Sequence, residues 1–75
     1  MKKFKIKFST FDDVKNFVNK VTACSYDVDL ISGRYAIDAK SIMGIFSLDL
    51  SKPIEAVAHT DDDSFEKAIK DFIVE

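Results

Sequence analysis

Residues 3–8 alternate without a break: Phe4, Ile6 and Phe8 fall on one side, and Lys3, Lys5 and Lys7 on the other. A period of two is the mark of a strand with one buried and one wet face, so this chain has to build a sheet that is covered on one side and open to water on the other. The cover has to come from its own helices. Thr10 followed by Asp13 reads as a capping pair, and Val14, Phe17, Val18 and Val21 then recur at helical spacing, which predicts a helix over residues 11–23. Residues 26–31 and 34–39 read as two strands joined across Ser32-Gly33, because Gly supplies the positive φ of a tight hairpin. A short helix is predicted to start at Ser41 and to end before Ser51-Lys52-Pro53, where the proline ring removes a backbone donor. Residues 54–59 form the last strand. Thr60-Asp61-Asp62-Asp63-Ser64 opens a final helix with Phe65, Ala68, Ile69, Phe72 and Ile73 as its apolar stripe. The order β-α-β-β-α-β-α predicts an α+β fold, an open-faced sandwich with an antiparallel sheet and its helices on one face.

At 75 residues the chain is expected to be a single domain, residues 1–75, close to the smallest size at which a core stands without metal or disulfide. Seven Phe and a hydrophobic content of 47% argue for a packed domain over a disordered one. A net charge of −2 sets up no field for nucleic acid. The one cysteine, Cys24, forms no internal disulfide and lacks the His and Cys companions of a zinc site, as expected of a protein from the reducing cytoplasm. We expect no export signal and no membrane span, since no long apolar run occurs.

The stretch with most chemical content is Lys40-Ser41-Ile42-Met43-Gly44-Ile45-Phe46-Ser47-Leu48. A hydroxyl there opens a short helix whose apolar residues cannot all point inward. Ile45 and Leu48 are the expected buried pair, leaving Ile42, Met43 and Phe46 toward the outside as an adaptable contact surface. Gly44 either permits close approach by a neighbour or is tolerated in the helix at about 1 kcal/mol. Read alone, Ser41 is an N-cap.

That segment resembles the regulatory-serine region of HPr, the small phosphocarrier of the bacterial sugar phosphotransferase system, and the order and length of the remaining elements match as well. The resemblance implies a four-stranded sheet in the order 1-4-2-3. It also implies Ser41 as the acceptor of phosphate from an ATP-dependent HPr kinase/phosphorylase, with a transcriptional regulator of carbon catabolite repression as reader. Lys40, Ile42, Met43 and Phe46 would form the partner-binding surface. No cofactor and no metal is implied. One departure stands out. The family carries phosphate on a histidine in a Gly-x-His-x-Arg-Pro loop, whereas this junction reads Phe8-Ser9-Thr10-Phe11-Asp12-Asp13-Val14. Thr10 stands at or beside the place of that histidine, and Asp12 and Asp13 replace the arginine and proline.

The expectation is therefore a non-catalytic HPr-like regulatory or adaptor protein, not an enzyme. Two alternatives remain: a phosphotransfer intermediate using an atypical acceptor, and an interaction domain that only inherited the fold, as a monomer or a weak homodimer. His59, the single histidine, sits beside three consecutive Asp and lacks the arginine of a phosphohistidine site, so a surface or capping role is expected. With one His and no glycine-rich oxyanion loop, no hydrolytic triad is expected. Asp61, Asp62 and Asp63 read as charge at a helix start, not as an ion site. Lys2, Lys3, Lys5 and Lys7 read as solubility and edge protection on the wet face. Cys24 reads as packing at a helix end.

Overall fold

The computed structural model describes residues 1–74. Strand β1 (Lys2–Ile6) leads into helix α1 (Phe11–Thr22), then strands β2 (Val28–Ser32) and β3 (Tyr35–Asp38), helix α2 (Ile42–Phe46), strand β4 (Ile54–Ala58) and helix α3 (Ser64–Ala68), followed by a 3-10 turn at Lys70–Phe72. The four strands are antiparallel in the order β1-β4-β2-β3, the order that the HPr resemblance implies. The α+β open-faced sandwich is therefore the observed fold.

Strand register explains which side is dry. Phe4 pairs with Ala56, Ala56 with Leu30 and Leu30 with Ile37, so one row of side chains runs across all four strands beneath the helices. Ala56 and Ala58 on the central strand leave room for the large buried side chains Phe17, Ile45, Phe65 and Ile69 to pack down from the helices. The opposite face carries Lys3, Val57, Asp29 and Asp38 in one row and Lys5, Glu55, Ile31 and Ala36 in the next. This is the alternation that residues 3–8 announce. Helix α1 buries Val14, Phe17 and Val21 and starts in a complete capping box: Thr10 accepts from the Asp13 N–H at 3.2 Å, and Asp13 accepts from the Thr10 N–H at 3.3 Å. Gly33, at φ +59°, makes the β2–β3 turn, one residue later than the spacing predicts.

Three expectations need correction. Strand β1 stops at Ile6, although Phe8 is still buried, and β2 starts at Val28, because Tyr26 instead packs edge-on against Phe65 at 6.2 Å. The final helix does not run through to Ile73: Ile69, at φ −110° and ψ 14°, ends α3, and the chain then swings back to β1. There Ile73 bridges Ile6, with the Lys7 N–H donating to the Phe72 carbonyl at 3.0 Å and the Val74 N–H to the Lys5 carbonyl at 2.9 Å. Backbone pairing along an otherwise open strand edge thus overrides the helical pattern, and the Phe72 ring still reaches Phe17 at 5.5 Å. Lastly, Lys2 is not on the wet face. It shares the parity of Phe4 and Ile6 and pairs with Asp63 at 2.9 Å.

The acidic run is likewise divided. Asp61 takes the amino terminus at 3.0 Å, Asp63 takes Lys2, and only Asp62 serves the helix start, accepting from the Ser64 N–H at 2.9 Å. Asp63 itself makes no side-chain cap bond. The Asp61 carboxyl is held below its ordinary range by the neighbouring ammonium, and the Lys2 ammonium is raised chiefly by its hydrogen bond to Asp63.

Candidate functional site

Ser41 is exposed, in extended backbone just ahead of α2, and its Oγ accepts from the Gly44 N–H at 3.2 Å. The β-turn behind it is tightly bonded: the Ser41 N–H donates to the Asp38 carbonyl at 3.0 Å and the Lys40 N–H to Asp38 Oδ1 at 2.9 Å. Asp38 therefore shapes the approach to Ser41. The far end of α2 is closed by Ser47, whose hydroxyl donates to the Gly44 carbonyl at 2.6 Å.

Within α2, Ile45 is fully buried, Leu48 only in part, and Met43 is 77% and Phe46 38% exposed. Ile42, expected on the outer side, is half-buried and packs against the core. Gly44 lies against β3: a Cβ there would meet Ile37 at 3.5 Å and the Ser41 hydroxyl at 3.2 Å. The Ile37 distance is ordinary van der Waals contact, so the tight neighbour is the capping hydroxyl of Ser41, for which this glycine leaves room. Lys40 is half-buried, with its ammonium donating to the Cys24 carbonyl at 3.2 Å just past the end of α1. That contact ties the Ser41 turn to α1. Cys24 closes the helix end, its Sγ lying 3.6 Å from the Lys20 carbonyl.

Sequence reasoning missed Phe11. At the first position of α1 it is 73% exposed and meets Phe46 edge-on, centroids 5.6 Å apart and planes at 79°. A residue there has its side chain directed back over the preceding loop instead of down onto the sheet; its place right after the cap was the available signal. Phe11 also lines an open groove of about 590 Å³ with Phe8, Thr10 and Leu50. Since Phe46 ends α2 beside the start of α1, and Lys40 precedes α2 beside the end of α1, the two helices run antiparallel. Met43, Phe46 and Phe11 are the exposed apolar residues of these two helices, and Ser41 caps the end of α2 away from the Phe11–Phe46 contact.

The β1–α1 junction is occupied by its own carboxylate. Asp13 Oδ2 accepts from the Ser9 N–H at 2.8 Å as well as from the Thr10 N–H, so two of the loop's backbone donors are already bonded to a carboxylate. His59 is at the opposite end of β4 from this loop, exposed, with Nε2 2.7 Å from Asp29 Oδ2 on the open face of the sheet. The loop after α2 holds one further perturbed group: Asp49 lies below its ordinary range because the Ser51 hydroxyl donates to it at 2.6 Å and the Ser51 N–H at 3.1 Å.

No family model matches this chain, and no curated protein matches it. Among the described residues no helix is long and apolar enough to cross a membrane.

Proposed function

We propose that the chain is a non-enzymatic, HPr-like regulatory adaptor of the cytoplasm whose working group is the Ser41 hydroxyl. An HPr kinase/phosphorylase-like enzyme transfers the γ-phosphoryl group of ATP to Ser41 Oγ; the hydroxyl proton is lost and ADP leaves. A transcriptional regulator of carbon catabolite repression then reads the phosphorylated face. The observation that carries this reading is the exposed Ser41 hydroxyl at the start of the helix that carries exposed Met43 and Phe46, the latter ring against Phe11.

Phosphate adds about −1.5 to −2 charges and three acceptor oxygens. Lys40 is engaged with the Cys24 carbonyl, so the cation that meets this charge comes from the reader, most effectively as a bidentate arginine. The apolar residues supply contact area, with Met43 and Phe46 able to adjust to a partner. Incubation with the kinase and ATP, followed by intact mass measurement, tests the reading. One added phosphate on the wild type and none on Ser41→Ala is the expected result. No mass increase, or one that persists in Ser41→Ala, overturns it.

A further inference from the structure

The two edges of the sheet are treated differently. Beyond β1, residues 72–74 already occupy part of the strand's outer side. Strand β3 is outermost on the other side, and among the described residues no segment pairs with its outer edge. The Ala39 N–H donates to the Val28 carbonyl at 2.8 Å, so by the alternation of an antiparallel ladder Tyr35, Ile37 and Ala39 turn their backbone groups toward β2, while Ala36 presents both of its groups outward and Asp38 its N–H, the Asp38 carbonyl already accepting from the Ser41 N–H at 3.0 Å. Such an edge is a template for another strand.

We propose that β3 pairs antiparallel with β3 of a second copy of this chain about a two-fold axis at Ala36, joining two four-stranded sheets into one. The two residue pairs nearest to Ala36 are complementary. On the axis, alanine faces alanine. On the helix-covered face, Tyr35 stands opposite Ile37 of the second copy. Arg34, the turn residue just before β3, comes level with Asp38 of the second copy, and the symmetry repeats the pair.

The surroundings support this register. Within its own sheet Asp38 sits directly across from Asp29, a like-charge pairing that disfavours the sheet and that an incoming guanidinium offsets. Among the described residues Arg34 makes no ion pair of its own. Asp38 Oδ1 is engaged by the Lys40 N–H, which leaves Oδ2 to meet Arg34. Tyr35 is 65% exposed beside a groove walled by Ile37 and Leu48 and rimmed by Ser47 and Asp49. The second copy's Tyr35, opposite Ile37, brings its ring to the apolar wall and its hydroxyl to the rim. Moving the axis to Ile37 would set Arg34 against Lys40, so charge also selects against the neighbouring register.

A four-residue edge buries little area, so the dimer is weak and in exchange with monomer. Sedimentation velocity at rising concentration is expected to show mass-action dimerisation. Arg34→Glu and Asp38→Arg should each weaken it roughly tenfold, because each creates two like-charge contacts. Mixing the two variants should restore association: at one contact the introduced carboxylate faces the introduced guanidinium, and at the other the native Asp38 faces the native Arg34. Ala36→Pro, which removes the N–H on the axis but no bond to β2, should leave a folded monomer. A wild type that stays monomeric at the highest soluble concentration overturns the proposal, as does a mixture that associates no better than its components. If Asp38→Arg fails to fold, Ala36→Pro decides: dimerisation as strong as wild type refutes the pairing, and its loss supports it.

Discussion

Replacing Ser41 by alanine removes the one side-chain bond at the start of α2, the 3.2 Å contact from the Gly44 N–H. Helix α2 has no second cap to fall back on. Its third position is Gly44, which has no side chain to return a bond, whereas α1 has the reciprocal Thr10–Asp13 pair. It also carries no acidic residue in its first turn and no basic residue in its last. Loss of a serine cap costs about 1 kcal/mol, which in a domain of this size lowers the thermal midpoint by about 4–8 °C. Aspartate and asparagine cap as well as serine, so Ser41→Asp and Ser41→Asn should unfold within about 0.5 kcal/mol of wild type. Urea unfolding followed by circular dichroism measures all three. The ordering Ser, Asp and Asn above Ala is expected; an alanine variant as stable as wild type, or an aspartate variant as weak as alanine, refutes the capping reasoning. The result bears on function too, because Ser41→Ala removes both the phosphate acceptor and a structural bond, whereas Ser41→Asn removes only the acceptor.

Ile45 is fully enclosed, so Ile45→Ala should cost about 2–5 kcal/mol and unfold at markedly lower urea. Phe46→Ala removes a partly exposed ring and its contact with Phe11, a pair worth about 0.5–1.5 kcal/mol beyond the area it buries, so the total loss is expected to stay below the roughly 3–5 kcal/mol of a core phenylalanine; a folded protein with impaired partner binding in calorimetry is the outcome that fits. At acid pH, Asp49 and Asp61 titrate below the ordinary value of 3.8 when folded. Their contribution is therefore present above that value and lost as pH falls through the folded pKa values. At alkaline pH, Tyr26 is raised above 10.0, chiefly by burial, so the unfolded chain ionises first and stability falls as pH passes 10.0. Lys2, raised above 10.5 by Asp63, contributes below 10.5 and loses that contribution through its folded pKa. Urea midpoints against pH should show both flanks, and Tyr26→Phe should flatten the alkaline one.

The regular parts of the fold were legible because they obey one local rule each. The alternation of residues 3–8 fixes which face of β1 is dry, Thr10 and Asp13 start α1 where their spacing says, and Gly33 takes the positive φ of the hairpin. Departures arise where tertiary pairing competes. Residues 69–73 have the right apolar spacing for a helix, yet the unpaired edge of β1 draws residues 72–74 into backbone bonds. Lys2 looks like one more wet-face lysine until Asp63 is brought beside it. In the candidate site, the capping of Ser41 and the exposure of Met43 follow from spacing. The tether of Lys40 to Cys24 and the pairing of Phe11 with Phe46 join residues from different helices, and no pattern along the chain encodes them.

The most direct test of the Ser41 reading is the modification state of that residue in protein isolated from its native cell, read by peptide mass spectrometry as the sugar supply is varied. A phosphate on Ser41 whose occupancy follows the carbon source is the predicted result. Unmodified Ser41 under every condition would contradict the regulatory role.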